Sequence, residues 1–134
     1  MSLLTADSRP QVTAEEIGRL VDAFYARVQV DPVIGPIFNR EVQDWPGHLE
    51  LLKQFWASAV LGIPGFKGNP LETHLNLRLE PEHFERWLAL FAETAKDVLG
   101  MTHAERFVHK SQRIAETFQR VIAAKRAGLD LIPA

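Results

Sequence analysis

The sequence predicts an all-α fold. Three observations carry that expectation. Apolar residues recur at helical spacing from residue 13 to residue 124, and no run alternates as a half-buried strand does. Proline, glycine and capping residues fall at the breaks between the apolar stretches.

The first helix starts at Thr13, with Glu16 three residues on as a capping box. Its stripe is Ile17, Leu20, Val21, Phe24 and Val28, and Asp31-Pro32 ends it. The segment from Asp31 to Phe38 contains Pro32 and Pro36 and reads as a compact corner, too proline-rich for a long helix. A second helix runs from near Asp44 to Leu61, with Gly62 as its stop. Leu49, Leu52, Phe55, Trp56, Ala59 and Val60 form its apolar face, which His48 borders. Gly62, Pro64, Gly65 and Gly68 punctuate a loop that leads into a short helix capped by Asn69, Pro70 and Glu72. A third long helix opens at Pro81, carries Phe84, Trp87, Leu88, Phe91, Ala95, Val98 and Leu99, and stops at Gly100. Thr102 and Glu105 form the capping box of a last helix carrying Phe107, Ser111, Ile114, Ala115, Phe118, Val121 and Ile122. Residues 13–124 read as one domain, between a flexible segment 1–12 and a tail 125–134.

Composition narrows the chemistry. Hydrophobic content of 46% and charged content of 24% describe a globular chain, and a net charge of −2 gives no electrostatic case for nucleic acid or an anionic membrane. No apolar stretch approaches the roughly 18 residues of a spanning helix, and the start lacks the basic and apolar runs of a secretory signal. The absence of cysteine excludes disulfides, thiolate metal sites, Fe–S clusters and covalent Cys-x-x-Cys-His haem attachment. A cytoplasmic location is expected.

The five histidines differ in setting. His83 and His103 sit in first turns and are expected to be exposed, and His109 falls on a polar face. His48 and His74 lie on apolar faces. His74 shares its face with Leu71 and Leu75 on a short capped turn, where a neutral imidazole can serve as a metal ligand. A histidine in this setting is also, more often, a hydrogen-bonded core residue. Zinc signatures are missing: there is no His-Glu-x-x-His, and His103-Ala104-Glu105 lacks the cysteine half of a deaminase motif. A chain with few metal ligands and many large apolar side chains suggests a metal carried inside a flat apolar cofactor, which means haem. Tyr25, the only tyrosine, lies beside its helix's main stripe, and Trp87 lies on the stripe of the third long helix. Their buried polar tips need hydrogen-bond partners, which a backbone carbonyl or a ligand can supply.

Together these segments resemble the truncated haemoglobins, most closely the third group. The match lies in ordered blocks: Phe24-Tyr25, Gly35-Pro36-Ile37-Phe38, His48, Phe55-Trp56, Gly62, Phe66-Lys67-Gly68-Asn69-Pro70 leading to His74, and Phe84 to Phe91. The chain has no Gly-Gly pair, as is typical of the third group, and Phe66 stands where an aromatic hydroxyl is also common. The resemblance implies a two-over-two helical sandwich around haem b. His74 would be the proximal iron ligand, Tyr25 and Trp87 the distal hydrogen-bonding residues, and His48 the residue at the distal entrance. Phe38 would pack on the haem face, with Leu52, Phe55, Phe84, Phe91 and Ile114 among the apolar walls. Lys53, Lys67 and Arg78 flank the implied pocket as candidates for the haem propionates.

The function this implies is reversible, high-affinity binding of O₂, and of NO and CO. Two donors worth roughly 1.5–3 kcal/mol each toward a charged acceptor would slow O₂ release by about two orders of magnitude or more. That favours redox chemistry on the ligand, such as NO dioxygenation or peroxide reduction with an external electron donor, over bulk transport. A haem-based gas sensor and a cofactor-free helical interaction module are the alternatives.

Overall fold

The computed structural model describes residues 12–66, 68, 70, 74 and 77–128. Among them the chain is helical, with four helices in order: α1 (Ala14–Val30), α2 (Gly35–Glu41), α3 (Trp45–Leu61) and α4 (Pro81–Arg126).

Helix α1 begins as its sequence dictates. The Thr13 hydroxyl accepts from the Glu16 N–H at 3.1 Å, and the Glu16 carboxylate accepts from the Thr13 N–H at 3.0 Å. Two otherwise orphaned donors are thereby satisfied. Its buried face comprises Ile17, Leu20, Val21, Phe24, Tyr25 and Val28. Asp31 caps the far end, and its carboxylate also accepts from the N–H groups of Val33 and Ile34 at 3.0 and 3.1 Å.

The corner after α1 contains a helix, α2, of seven residues. Pro36 in its first turn fits, because the missing N–H would have had no intrahelical partner there. Gly35 lets α2 start hard against α1: a Cβ at this position would lie 2.8 Å from the Val28 carbonyl oxygen. Helix α3 follows with Asp44 as N-cap, its carboxylate accepting from the Gly47 N–H at 3.2 Å. Gly62, at φ 70°, ends it in the left-handed conformation that glycine adopts without strain.

The third and last long helices expected from the sequence meet at Gly100 without an intervening loop. Gly100 has φ 78° and ψ 167°, so α4 is two helical arms joined at one non-helical residue. The arms fold back on each other. Arg126, at the end of the second, donates to the Leu79 carbonyl at 2.9 Å just ahead of the first.

Helix α1 packs against α2, α3 and α4, and α3 also packs against α4. The result is a two-over-two sandwich, α1 and α3 in one layer and the arms of α4 in the other. Its core centres on Phe24, Trp56, Phe91 and Phe107, each at most 2% exposed. Trp87 and Trp56 each stack on Phe91, with ring centroids 5.2 and 5.0 Å away, and Phe24 meets Phe91 edge-on at 4.9 Å. Full burial of such side chains stabilises by roughly 1.5–3 kcal/mol apiece. A second, smaller cluster of Leu79, Phe84, Ala115 and Ile122 packs with Ile37, Leu77, Leu88 and Phe118. A cavity opens between the two clusters, lined by members of both.

Candidate functional site

The cavity has a volume of about 600 Å³, inside the roughly 300–1,000 Å³ range of small-molecule and cofactor sites. Its walls are mostly apolar, and a few polar groups converge on it: Tyr25, His48, His74, His83 and Trp87, with Glu41, Gln43 and Asp44. No lysine or arginine lines it among the described residues.

His74 is half-buried on helical backbone, one turn after Pro70. Its Nδ1 lies 2.5 Å from the Pro70 carbonyl oxygen. A carbonyl can only accept, so Nδ1 carries the proton and the lone pair resides on Nε2. Burial pulls the imidazole pKa below its ordinary value, against the opposing effect of the Pro70 bond, and this keeps the ring neutral at pH 7. Phe118 flanks the ring at 4.9 Å. A neutral histidine that donates one N–H to a backbone carbonyl and leaves its other nitrogen free is the usual form of a metal-ligating imidazole. Leu71, Leu75, Asn69 and Glu72, expected around this turn, lie outside the described residues.

Tyr25 is 4% exposed. Burial pushes its phenol well above the ordinary range, against the opposing effect of the Trp87 N–H, so the phenol stays protonated. The Tyr25 O–H is thus a donor, and the Trp87 indole N–H, which can only donate, lines the same cavity. Trp87 itself is held by its stack on Phe91, interplanar angle 10°, and by Phe24 edge-on at 5.4 Å. His48, in the first turn of α3, has its ring edge-on to Trp45 at 5.8 Å. Burial lowers its pKa, and the repulsion its protonated form would meet from a protonated His74 lowers it further, so it too is neutral at pH 7.

Of the residues singled out by sequence, Tyr25, Phe38, His48, Leu52, Phe55, His74, Phe84, Trp87 and Ile114 come together around this one cavity. Phe91 does not line it and sits 1% exposed behind Trp87. Lys53 faces α1 instead, with Nζ 3.1 Å from Asp22 and 3.7 Å from Glu50. Arg78 is exposed and away from the lining, and Lys67 lies outside the described residues. Two histidines expected to be exposed are not. His83 is half-buried at the cavity, its Nδ1 accepting from the Glu80 N–H at 2.9 Å, and His103 donates to the Glu16 carboxylate at 2.6 Å. The spacing Leu79, His83, Trp87 carries the signal that was overlooked, because positions four apart share a helix face. Phe118 likewise lines the cavity one turn beyond Ile114.

The sequence profile of the family described as Bacterial-like globin matches residues 12–121. The chain belongs to this haem-binding family, among the truncated haemoglobins of the third group. It is 34% identical over 116 residues to the Group 3 truncated hemoglobin ctb of Campylobacter jejuni, covering 83% of this chain and 91% of that protein. It also matches a crystal structure of the group III truncated hemoglobin from Campylobacter jejuni. There the TM-score is 0.78 at 33% identity, over 87% of this chain and 95% of the other. No helix among the described residues is long and apolar enough to cross a membrane.

Proposed function

We propose that this globin binds haem b in the α1–α4 cavity, with His74 Nε2 as the protein ligand to iron, and takes up O₂, NO or CO there. The observation that carries the reading is the His74–Pro70 bond, which leaves a neutral nitrogen donor in a cavity that also holds the Tyr25–Trp87 pair. Among the described residues no group of three or more His, Cys, Asp or Glu side chains gathers to hold a bare metal ion. One imidazole within apolar walls suits a metal whose remaining donors come from a macrocycle.

Haem held by one histidine supplies an iron with a position open to a diatomic ligand. The protein sets the rest. Tyr25 is a protonated donor in a low-dielectric cavity, where its hydrogen bond to a polarised ligand counts for more than in water. Trp87 brings a second donor, its indole N–H, to the same cavity. His48, neutral beside Trp45, stands as an entrance group without adding charge. Apolar walls from Phe38, Leu52, Phe55 and Phe84 exclude water from the ligand. These features favour tight, slow-leaving O₂ and ligand redox chemistry, with electrons from a separate donor, over bulk transport.

Absorption spectra of the purified protein, oxidised, then dithionite-reduced, then CO-treated, test the reading. A strong Soret band with the CO shift of a histidine-ligated haem is expected. Failure to take up stoichiometric haemin would overturn it and leave an interaction module.

A further inference from the structure

Tyr25 and Trp87 come from different helices, α1 and α4, yet both rings meet Phe24 edge-on, with centroids 4.7 and 5.4 Å away, and both line the cavity, an arrangement that holds only if those helices keep one relative rotation. The tie that sets it lies just outside the cavity. Asp31, at the end of α1, has a side chain 2% exposed. One of its oxygens accepts from Val33 and Ile34, closing the turn into α2. The other meets Arg86 of α4, with Nε at 2.7 Å and Nη2 at 2.5 Å. A single buried carboxylate therefore joins α1, the start of α2 and the first arm of α4. Each of these carries cavity wall: Tyr25 on α1, Phe38 on α2, and Trp87 next to Arg86 on α4. Phe38 also touches the Tyr25 ring, with centroids 5.9 Å apart.

We propose that Asp31 and Arg86 are positioning residues that hold the Tyr25–Trp87 donor pair in register, and that through it they set ligand residence time. The consequence for ligand release rests on the haem reading above. The register itself does not. A guanidinium locked by two N–H contacts on one oxygen fixes both the rotation and the height of α4 against α1. A flexible single-donor side chain in its place leaves that geometry loose.

Arg86→Gln tests this, because it keeps much of the stem and a donor but removes the charge and the second contact. In the protein as purified, the Trp87 indole N–H resonance reports the seat of the indole against Phe24 and Phe91, and Trp87→Phe assigns it among the three indole signals. A shifted or broadened resonance is expected in Arg86→Gln, with partial return in Arg86→Lys. At matched haem loading, the C–O stretching band of the reduced, CO-treated variant should broaden or split. Its O₂ dissociation should rise about tenfold, the ~1.4 kcal/mol of one lost hydrogen bond. An unchanged indole resonance, with wild-type C–O band and off-rate, would overturn the proposal even if the variant melts lower. Should Arg86→Gln fail to fold, Asp31→Asn retains an acceptor for the α2 turn and is held to the same readouts. Wild-type protein that takes up no haem would sink the haem reading alone, because the indole resonance still decides the register.

Discussion

His74 and Tyr25 face the same cavity with opposite offers: one a lone pair, the other a proton. His74 is held to its role by a backbone carbonyl, so its free nitrogen does not depend on another side chain's rotamer. His74→Ala should therefore abolish or greatly weaken haem retention while leaving a helical fold, because the ring is half-buried and outside the main core. Haem titration with circular dichroism on the same sample checks it, and retention with an unchanged iron spectrum would refute the ligand assignment. Tyr25 offers its proton because burial prevents ionisation. Tyr25→Phe deletes a hydrogen bond worth about 1.5 kcal/mol or more, so stopped-flow O₂ dissociation should accelerate roughly tenfold or more. The same off-rate in both proteins would remove Tyr25 from contact with the ligand.

At the scale of elements, α2 approaches α1 closely at Gly35. A methyl at Gly35 would meet the Val28 carbonyl oxygen at 2.8 Å and the Gln29 carbonyl oxygen at 3.1 Å, both backbone atoms that cannot step aside alone. Gly35→Ala should cost about 1–3 kcal/mol and lower the melting temperature by several degrees, measured by thermal unfolding. A variant as stable as the parent would mean that α2 can slide without loss. The long helices were legible because a capping box at Thr13, an Asp44 cap and a Gly62 stop are local chemistry, satisfied within a turn. In sequence α2 reads as a corner, since two prolines in eight residues mask a seven-residue helix that depends on docking to α1. The cavity's apolar wall was likewise legible from helical spacing. Lys53 was not, because its neighbour Leu52 faces the cavity while its own partner, Asp22, lies on another helix. His83 and His103 were misread for the same reason: a first-turn position says nothing about which other segment will cover it.

At the scale of the whole molecule, one long-range tie joins α1, the start of α2 and α4. Asp31 and Arg86 are 55 residues apart, a separation at which sequence pattern carries no signal. The Arg86 hydrogen bonds hold the Asp31 carboxyl below its ordinary pKa, burial opposes them, and the Val33 and Ile34 N–H groups reinforce the lowering. Between the folded value and the unfolded value of about 3.9, the unfolded chain binds the extra proton, so stability rises with pH in that window. The contribution is fully present above about pH 4 and is lost as pH falls through the folded pKa. Glu16 adds a second dependence of the same sign. Burial pushes its carboxyl up, but its bonds to His103 and Thr13 leave it net below the ordinary value. Asp31→Asn has no proton to take up at this site, so its unfolding free energy should be lower than that of the parent at pH 6. It should then fall less steeply below pH 4, the remaining slope belonging to Glu16 and other carboxylates. Urea melts at several pH values on both proteins measure the two slopes. Parallel curves would mean that the buried carboxylate is equally at ease protonated. In that case the joint between α1, α2 and α4 would rest on apolar packing, and the ion pair would contribute nothing to it.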